Sequence, residues 1–92
     1  MGRRRPRLPA PTWHGYIELH SIDPAQNRVR VYQLVLMPDL LGYWVAQSSW
    51  GRIGKYRRTA NLVFAIRQEA ETAGDDLVQL RLRHGYHVVY VQ

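Results

Sequence analysis

Along residues 16–22 polar and apolar side chains alternate, with Ile17 and Leu19 on one side and Glu18 and His20 on the other, the period of a half-buried strand. Asp23, Pro24, Ala25, Gln26 and Asn27 supply turn chemistry. Residues 28–36 then resume the alternation, rich in Val and Tyr, with Tyr32, Leu34 and Leu36 on a common face. Pro38 and Asp39 end that strand. After Gly42, a third strand over residues 43–50 sets Trp44, Ala46, Ser48 and Trp50 opposite Tyr43, Val45, Gln47 and Ser49, so two tryptophans share a face. Gly51 and Gly54 bracket Arg52 and Ile53. Glycine serves where the backbone needs positive φ or close approach, which predicts a reversal here and a fourth strand toward Phe64.

From Ile66 the period changes. Positions 66, 70, 73, 77, 80 and 84, apolar or small except for His84, line one face of a single helix. Gly74 costs about 1 kcal/mol relative to alanine in a helix interior. It leaves open a second parse, in which a helix starting near Asn61 breaks at Gly74 and restarts with Asp75 or Asp76 as its N-cap. Gly85 closes the helix, and residues 86–91 read as a last strand. The expected fold is α+β: a small twisted antiparallel sheet of four to five strands with one C-terminal helix packed on it.

Ninety-two residues suit one core and not two. The domain is expected over residues 13–92. Residues 1–12, with Arg3, Arg4, Arg5, Arg7 and three prolines, read as a flexible basic arm. The absence of cysteine excludes a disulfide framework and cysteine-ligated zinc, and fits a reducing, cytoplasmic setting. No export signal is expected from the proline-interrupted start, and no run approaches the ~20 apolar residues of a membrane span.

Charge adds a partner class. Thirteen Lys and Arg against seven Asp and Glu give +6, which points to a polyanion. Four of those cations lie in residues 1–7, where no acid occurs, leaving nine against seven, so position matters more than total. Residues 50–58, WGRIGKYRR, hold four cations, two aromatics and no acid. An indole can stack on a sugar or base, the Arg52 fork suits phosphate, the glycines let a backbone come close, and Lys55, Arg57 and Arg58 add screened attraction. Each also has an architectural reading. Trp50 can pack beside Trp44, Arg52 can pin carbonyls of its own turn, and the remaining cations can form a solvated surface.

Catalysis has no constellation in this sequence. Asp75 and Asp76 are adjacent and point in different directions on a helix, so no hydrolytic carboxylate pair is expected. His84 and His87 lack the further ligands a zinc site needs. The expectation is a non-enzymatic binding protein with no metal and no cofactor.

The WGRIG stretch after a Trp-containing strand resembles the signature of the WGR domain, found beside the catalytic region of poly(ADP-ribose) polymerases and in small bacterial proteins. The resemblance covers roughly residues 14–90 and includes residues 22–27, Tyr32, Leu34, Gly42, Trp44, Phe64, Ala70 and the Gly85-Tyr86 pair. It implies a small antiparallel sheet with one helix, and favours a strand through Phe64 over the broken-helix parse. In the polymerases the domain contacts DNA near a strand break and joins neighbouring domains. The resemblance therefore implies DNA contact through Trp50 and Arg52 with Gly51 between them, and sets the basic residue usually found before the closing Gly-Tyr at Arg81. Lys55, Arg57, Arg58 and the arm residues Arg3, Arg4 and Arg5 would add phosphate contacts. The alternative is a protein–protein module using the same patch or the strand edges. Two positions depart from the family: Ser48-Ser49 stand where a basic residue often precedes the motif, and Lys55 to Arg58 where a further glycine is common. These 92 residues hold no polymerase region, so the resemblance does not imply a signalling role that depends on one.

Overall fold

The computed structural model describes residues 6–92, so Arg3, Arg4 and Arg5 lie outside the described residues. Strands β1 (Tyr16–Asp23), β2 (Arg28–Pro38), β3 (Trp44–Arg52) and β4 (Arg57–Phe64) form a meander, α1 (Arg67–Arg83) crosses it, and β5 (His87–Val91) closes the far edge. All pairings are antiparallel and the strand order is β4-β3-β2-β1-β5. The described residues form five strands and one α-helix, within the four to five strands and one helix expected, with one strand following the helix. Each turn has a local cause. A 3₁₀ turn, Pro24–Gln26, joins β1 to β2 and ends with Asn27 at φ 52, a conformation that asparagine tolerates better than most residues. Between β2 and β3 the Asp39 carboxylate accepts the backbone N–H groups of Leu41 and Tyr43 at 2.8 and 2.9 Å.

The apolar face foreseen for β1, β2 and β3 is the one α1 covers. Ile17, Leu19, Tyr32, Leu34, Leu36 and Ala46 are buried against Ala70, Val78 and Tyr86. Burying such side chains removes roughly 25 cal/mol of unfavourable hydration per Å² of apolar surface, so this layer is the main source of stability. The buried Tyr32 hydroxyl meets Ser48 Oγ at 2.8 Å, which satisfies two polar groups that would otherwise be stranded in the core.

The helical stripe differs from the one expected. α1 buries Ala70, Gly74, Val78 and Gln79, whereas Ile66 and Leu80 are exposed. The difference comes from three residues that apolar counting leaves out. Gly74 receives the Trp13 indole: a Cβ built there would lie 3.0 Å from Trp13 Cη2. Gln79 holds the segment preceding Trp13, accepting from Leu8 N at 2.8 Å and donating to Leu8 O at 2.9 Å. Arg81 stacks on aromatic rings. The helix is continuous through Gly74, so the broken-helix parse does not hold.

Residues 6–12 form neither helix nor strand, and they are attached to α1. Beside the Leu8 pair, Trp13 Nε1 donates to Asp75 Oδ1 at 3.0 Å and Arg7 lies 3.6 Å from Asp76. No helix among the described residues is long and apolar enough to cross a membrane.

Candidate nucleic-acid interface

The WGRIG stretch forms the end of β3 and the turn into β4. Lys55 N donates to Arg52 O at 3.1 Å, closing a four-residue turn with Gly54 at φ +79, where a side chain would be strained. Gly51 is required for a different reason. A Cβ at that position would sit 2.9 Å from the carbonyl oxygen of Tyr56 and 3.4 Å from Arg57 Cα. The two glycines thus supply the positive φ and the close approach that the sequence indicated, one each.

Strand alternation decides which cations gather. Trp50 pairs with Tyr32 on one side and Arg58 on the other, and Arg52 pairs with Arg30, so Trp50, Arg52, Arg58 and Arg30 all point to the face that carries the helix. The helix begins with Arg67 4.9 Å from the Trp44 ring and later sets Arg81 4.4 Å from the Tyr32 ring, which leaves the far end of β3 beyond it. Trp50 is accordingly half-buried, packed against the core on one flank.

Arg52 is exposed and held. Its Nη1 donates to the main-chain oxygen of Asn27 and its Nη2 to Asn27 Oδ1, each at 3.1 Å. The guanidinium is therefore a pin, but between the β3–β4 turn and the end of the β1–β2 turn, where the sequence reading had it holding carbonyls of its own turn. Two of its five N–H groups are used, and the residue borders an open cleft of about 380 Å³ lined by Gln26, Asn27, Arg28, Arg30 and Arg52. None of these residues is acidic; Asp23 lies across from Arg28 in register. Arg28 and Arg30 were not singled out from the sequence. The signal was there: they share the phase of Tyr32 and Leu34 and so had to emerge on the same face as Trp50.

No family model, curated protein or solved structure matches the chain.

The other candidate residues disperse. Lys55 is exposed in the turn. Arg57, opposite Gly51, points to the helix-free face of the sheet and donates through Nη1 to Gln33 Oε1. Arg81 lies at the helix side, its guanidinium over Tyr32 and 5.7 Å from the Tyr86 ring, and its buried Nε has no hydrogen-bond partner among the described residues. It serves the core flank as a stacked cation.

The helix-free face carries a connected polar cluster instead of a basic one. Tyr16 donates its hydroxyl to Glu18 Oε1 at 2.7 Å, Gln33 Nε2 donates to Tyr16 Oη and to Glu18 Oε1 at 2.7 and 3.0 Å, and His20 Nε2 lies 2.7 Å from Glu18 Oε2. The hydrogen bond from Tyr16, then that from Gln33, hold the Glu18 carboxyl down at about 2 against the opposing effect of burial. Burial and the adjacent Glu18 push the Tyr16 phenol up to about 12. With Arg57 behind Gln33, this cluster closes over Val31, which is fully buried although it lies on the helix-free side. No group of three or more His, Asp or Glu side chains converges among the described residues in a way that could hold a metal ion.

Proposed function

We propose that the protein is a WGR-like, non-enzymatic binding module that engages the phosphate backbone or an end of DNA at the corner between the β3–β4 turn and the β1–β2 turn. The observation that carries this reading is the open cleft where Arg52, fixed by Asn27, converges with Arg28 and Arg30 beside a half-buried Trp50. Three guanidiniums facing one cleft repel one another until an anion enters, and a guanidinium already held in place loses little entropy on capturing phosphate. The exposed flank of the Trp50 indole gives a surface for a sugar or base, and Lys55 and Arg58 extend the positive field along the rim. Arg57 belongs to the opposite face and supports the sheet rather than this contact.

The test is fluorescence anisotropy with duplex, nicked and hairpin-closed DNA at two salt concentrations. With four or five phosphates neutralised, the log-log dependence of affinity on salt has a slope on the order of −4. Trp50→Ala with Arg52→Ala weakens binding, and open ends outcompete the closed hairpin. Affinity that stays flat with salt, or survives the double substitution, removes the reading.

A second reading, a protein–protein module, is favoured by one observation at the opposite end of the sheet. The β2–β3 loop holds Leu40 and Leu41 almost fully in solvent, braced by the Asp39 turn, next to the exposed Tyr43. Adjacent exposed apolar side chains form the kind of contiguous patch that marks a contact surface, where single ones do not. A partner retained after nuclease treatment and lost with Leu40→Asp plus Leu41→Asp, while DNA affinity stays unchanged, assigns that loop to protein contact.

A further inference from the structure

The two edges of the sheet are built differently. β5 is five residues long, and a register shift between Glu18 and Leu19 interrupts its pairing with β1. Short, bulged edges resist pairing with another chain. β4 has neither defence. Its eight residues pair with β3 in unbroken register, contain no proline, and are exposed at all six central positions. One half is cationic (Arg57, Arg58) and the other apolar (Leu62, Val63, Phe64).

We propose that β4 joins antiparallel to β4 of a second copy, continuing the sheet across a two-fold axis into a ten-stranded dimer. In an antiparallel pair, positions of equal parity share a face, so the helix-side residues 58, 60, 62 and 64 must meet one another. A seam centred on Asn61 pairs Leu62 with Ala60 of the second copy and Phe64 with its Arg58. On the helix-free side Asn61 meets Asn61, and Val63 meets Thr59.

Charge selects this arrangement. Beside Phe64, on the helix side, lies a groove of about 450 Å³ lined by Phe64, Ile66, Glu69, Thr72, Ala73 and Asp76. The seam delivers the Arg58 guanidinium of the other copy to that groove, over an aromatic ring and between two carboxylates. Asp76 also meets Arg7 at 3.6 Å, with both side chains more than half exposed, so Glu69 is the stronger counter-charge. Two arginines among the described residues already lie over rings, Arg67 over Trp44 and Arg81 over Tyr32 and Tyr86. A two-fold axis normal to the sheet leaves both helices on one side and at opposite ends of the seam. Each copy contributes one Arg58 and one groove.

Sedimentation equilibrium on nuclease-treated full-length protein tests the seam. The expected species has twice the 10.8 kDa chain mass and dissociates on dilution. Each substitution counts twice across a two-fold axis, so Leu62→Lys, which leaves the basic corner intact, weakens the dimer by at least about tenfold. Arg58→Glu and the pair Glu69→Arg with Asp76→Arg each weaken it similarly. Mixing those two charge-reversed proteins restores association as a heterodimer. Circular dichroism confirms that each variant is folded. A monomer throughout the accessible concentration range, a dimer indifferent to Leu62→Lys, or a failure of the mixed charge-reversed proteins to associate overturns the proposal.

Discussion

Gly74→Ala gives a test in which two physical effects oppose each other and the structure decides the sign. In a solvent-exposed helix interior the change stabilises by about 1 kcal/mol, because alanine has less backbone entropy to lose. Here the new Cβ falls 3.0 and 3.2 Å from Trp13 Cη2 and Cζ2. Trp13 cannot easily retreat. Its indole N–H is bonded to Asp75, and the next residue is held by His14 N to Gln92 O at 2.9 Å and Arg67 Nη2 to His14 O at 3.3 Å. Overpacking of this kind costs about 1–3 kcal/mol, so the net effect is a destabilisation of about 1 kcal/mol. In a Trp13→Ala background the obstacle is gone and the same substitution stabilises by about 1 kcal/mol. Urea denaturation of the four proteins of the cycle measures the coupling, about 2 kcal/mol. Should Gly74→Ala raise the midpoint equally with and without Trp13, the docking of the segment before β1 onto α1 is refuted.

Three further outcomes are expected. Gly51→Ala forces a methyl group against the Tyr56 carbonyl and lowers stability by roughly 2 kcal/mol, whereas Gly54→Ala pays about 1–2 kcal/mol for its positive φ alone; urea midpoints rank the two. Tyr32→Phe leaves Ser48 Oγ buried without its partner and costs about 1–2 kcal/mol in the same assay, while Tyr32→Phe with Ser48→Ala recovers part of that loss. Acid sensitivity comes from Glu18, whose side chain is 24% exposed and whose folded-state value of about 2 lies below the ordinary 4.5. Its stabilisation is full above pH 4.5 and is lost as pH falls toward 2, on the order of 2 kcal/mol after allowing for solvent screening. Glu18→Gln flattens that part of the stability profile, and an unchanged profile counts against the hydrogen-bonded cluster.

The strands were legible because period-2 alternation survives without tertiary information, and because Pro24, Gly42 and Gly54 punctuate it, whereas Gly51, read as the start of the reversal, lies within β3. The phase of the helix was not. A glycine, a glutamine and an arginine supply much of its inward face, each for a reason lying elsewhere in the chain: the Trp13 ring, the Leu8 peptide and the Tyr32 ring. The WGRIGKYRR run shows the opposite error. Read as a linear cluster it counts Arg57 and Arg58 together, yet neighbours in a strand point to opposite faces, so one emerges beside Trp50 and the other behind Gln33. Applied to residues 28–30, the same parity would have found Arg28 and Arg30, which no linear motif marks.

The bond from Arg52 to Asn27 sharpens what the corner can do. A pinning arginine is usually evidence against a ligand role, since its donors are spent and its charge is offset. Here the partners are a carbonyl and an amide oxygen, both neutral, so the full positive charge remains, and only two N–H groups are committed. The pin fixes the plane of the guanidinium toward Arg28 and Arg30 and joins two turns that share no side-chain core. Repulsion among three such groups is tolerable at the sheet's end, where water screens it, and would not be in the layer beneath α1. The fold therefore keeps its stability in the Tyr32–Leu34–Ala46 face and its unbalanced charge outside it, so the cationic residues can be replaced to test binding without dismantling the protein.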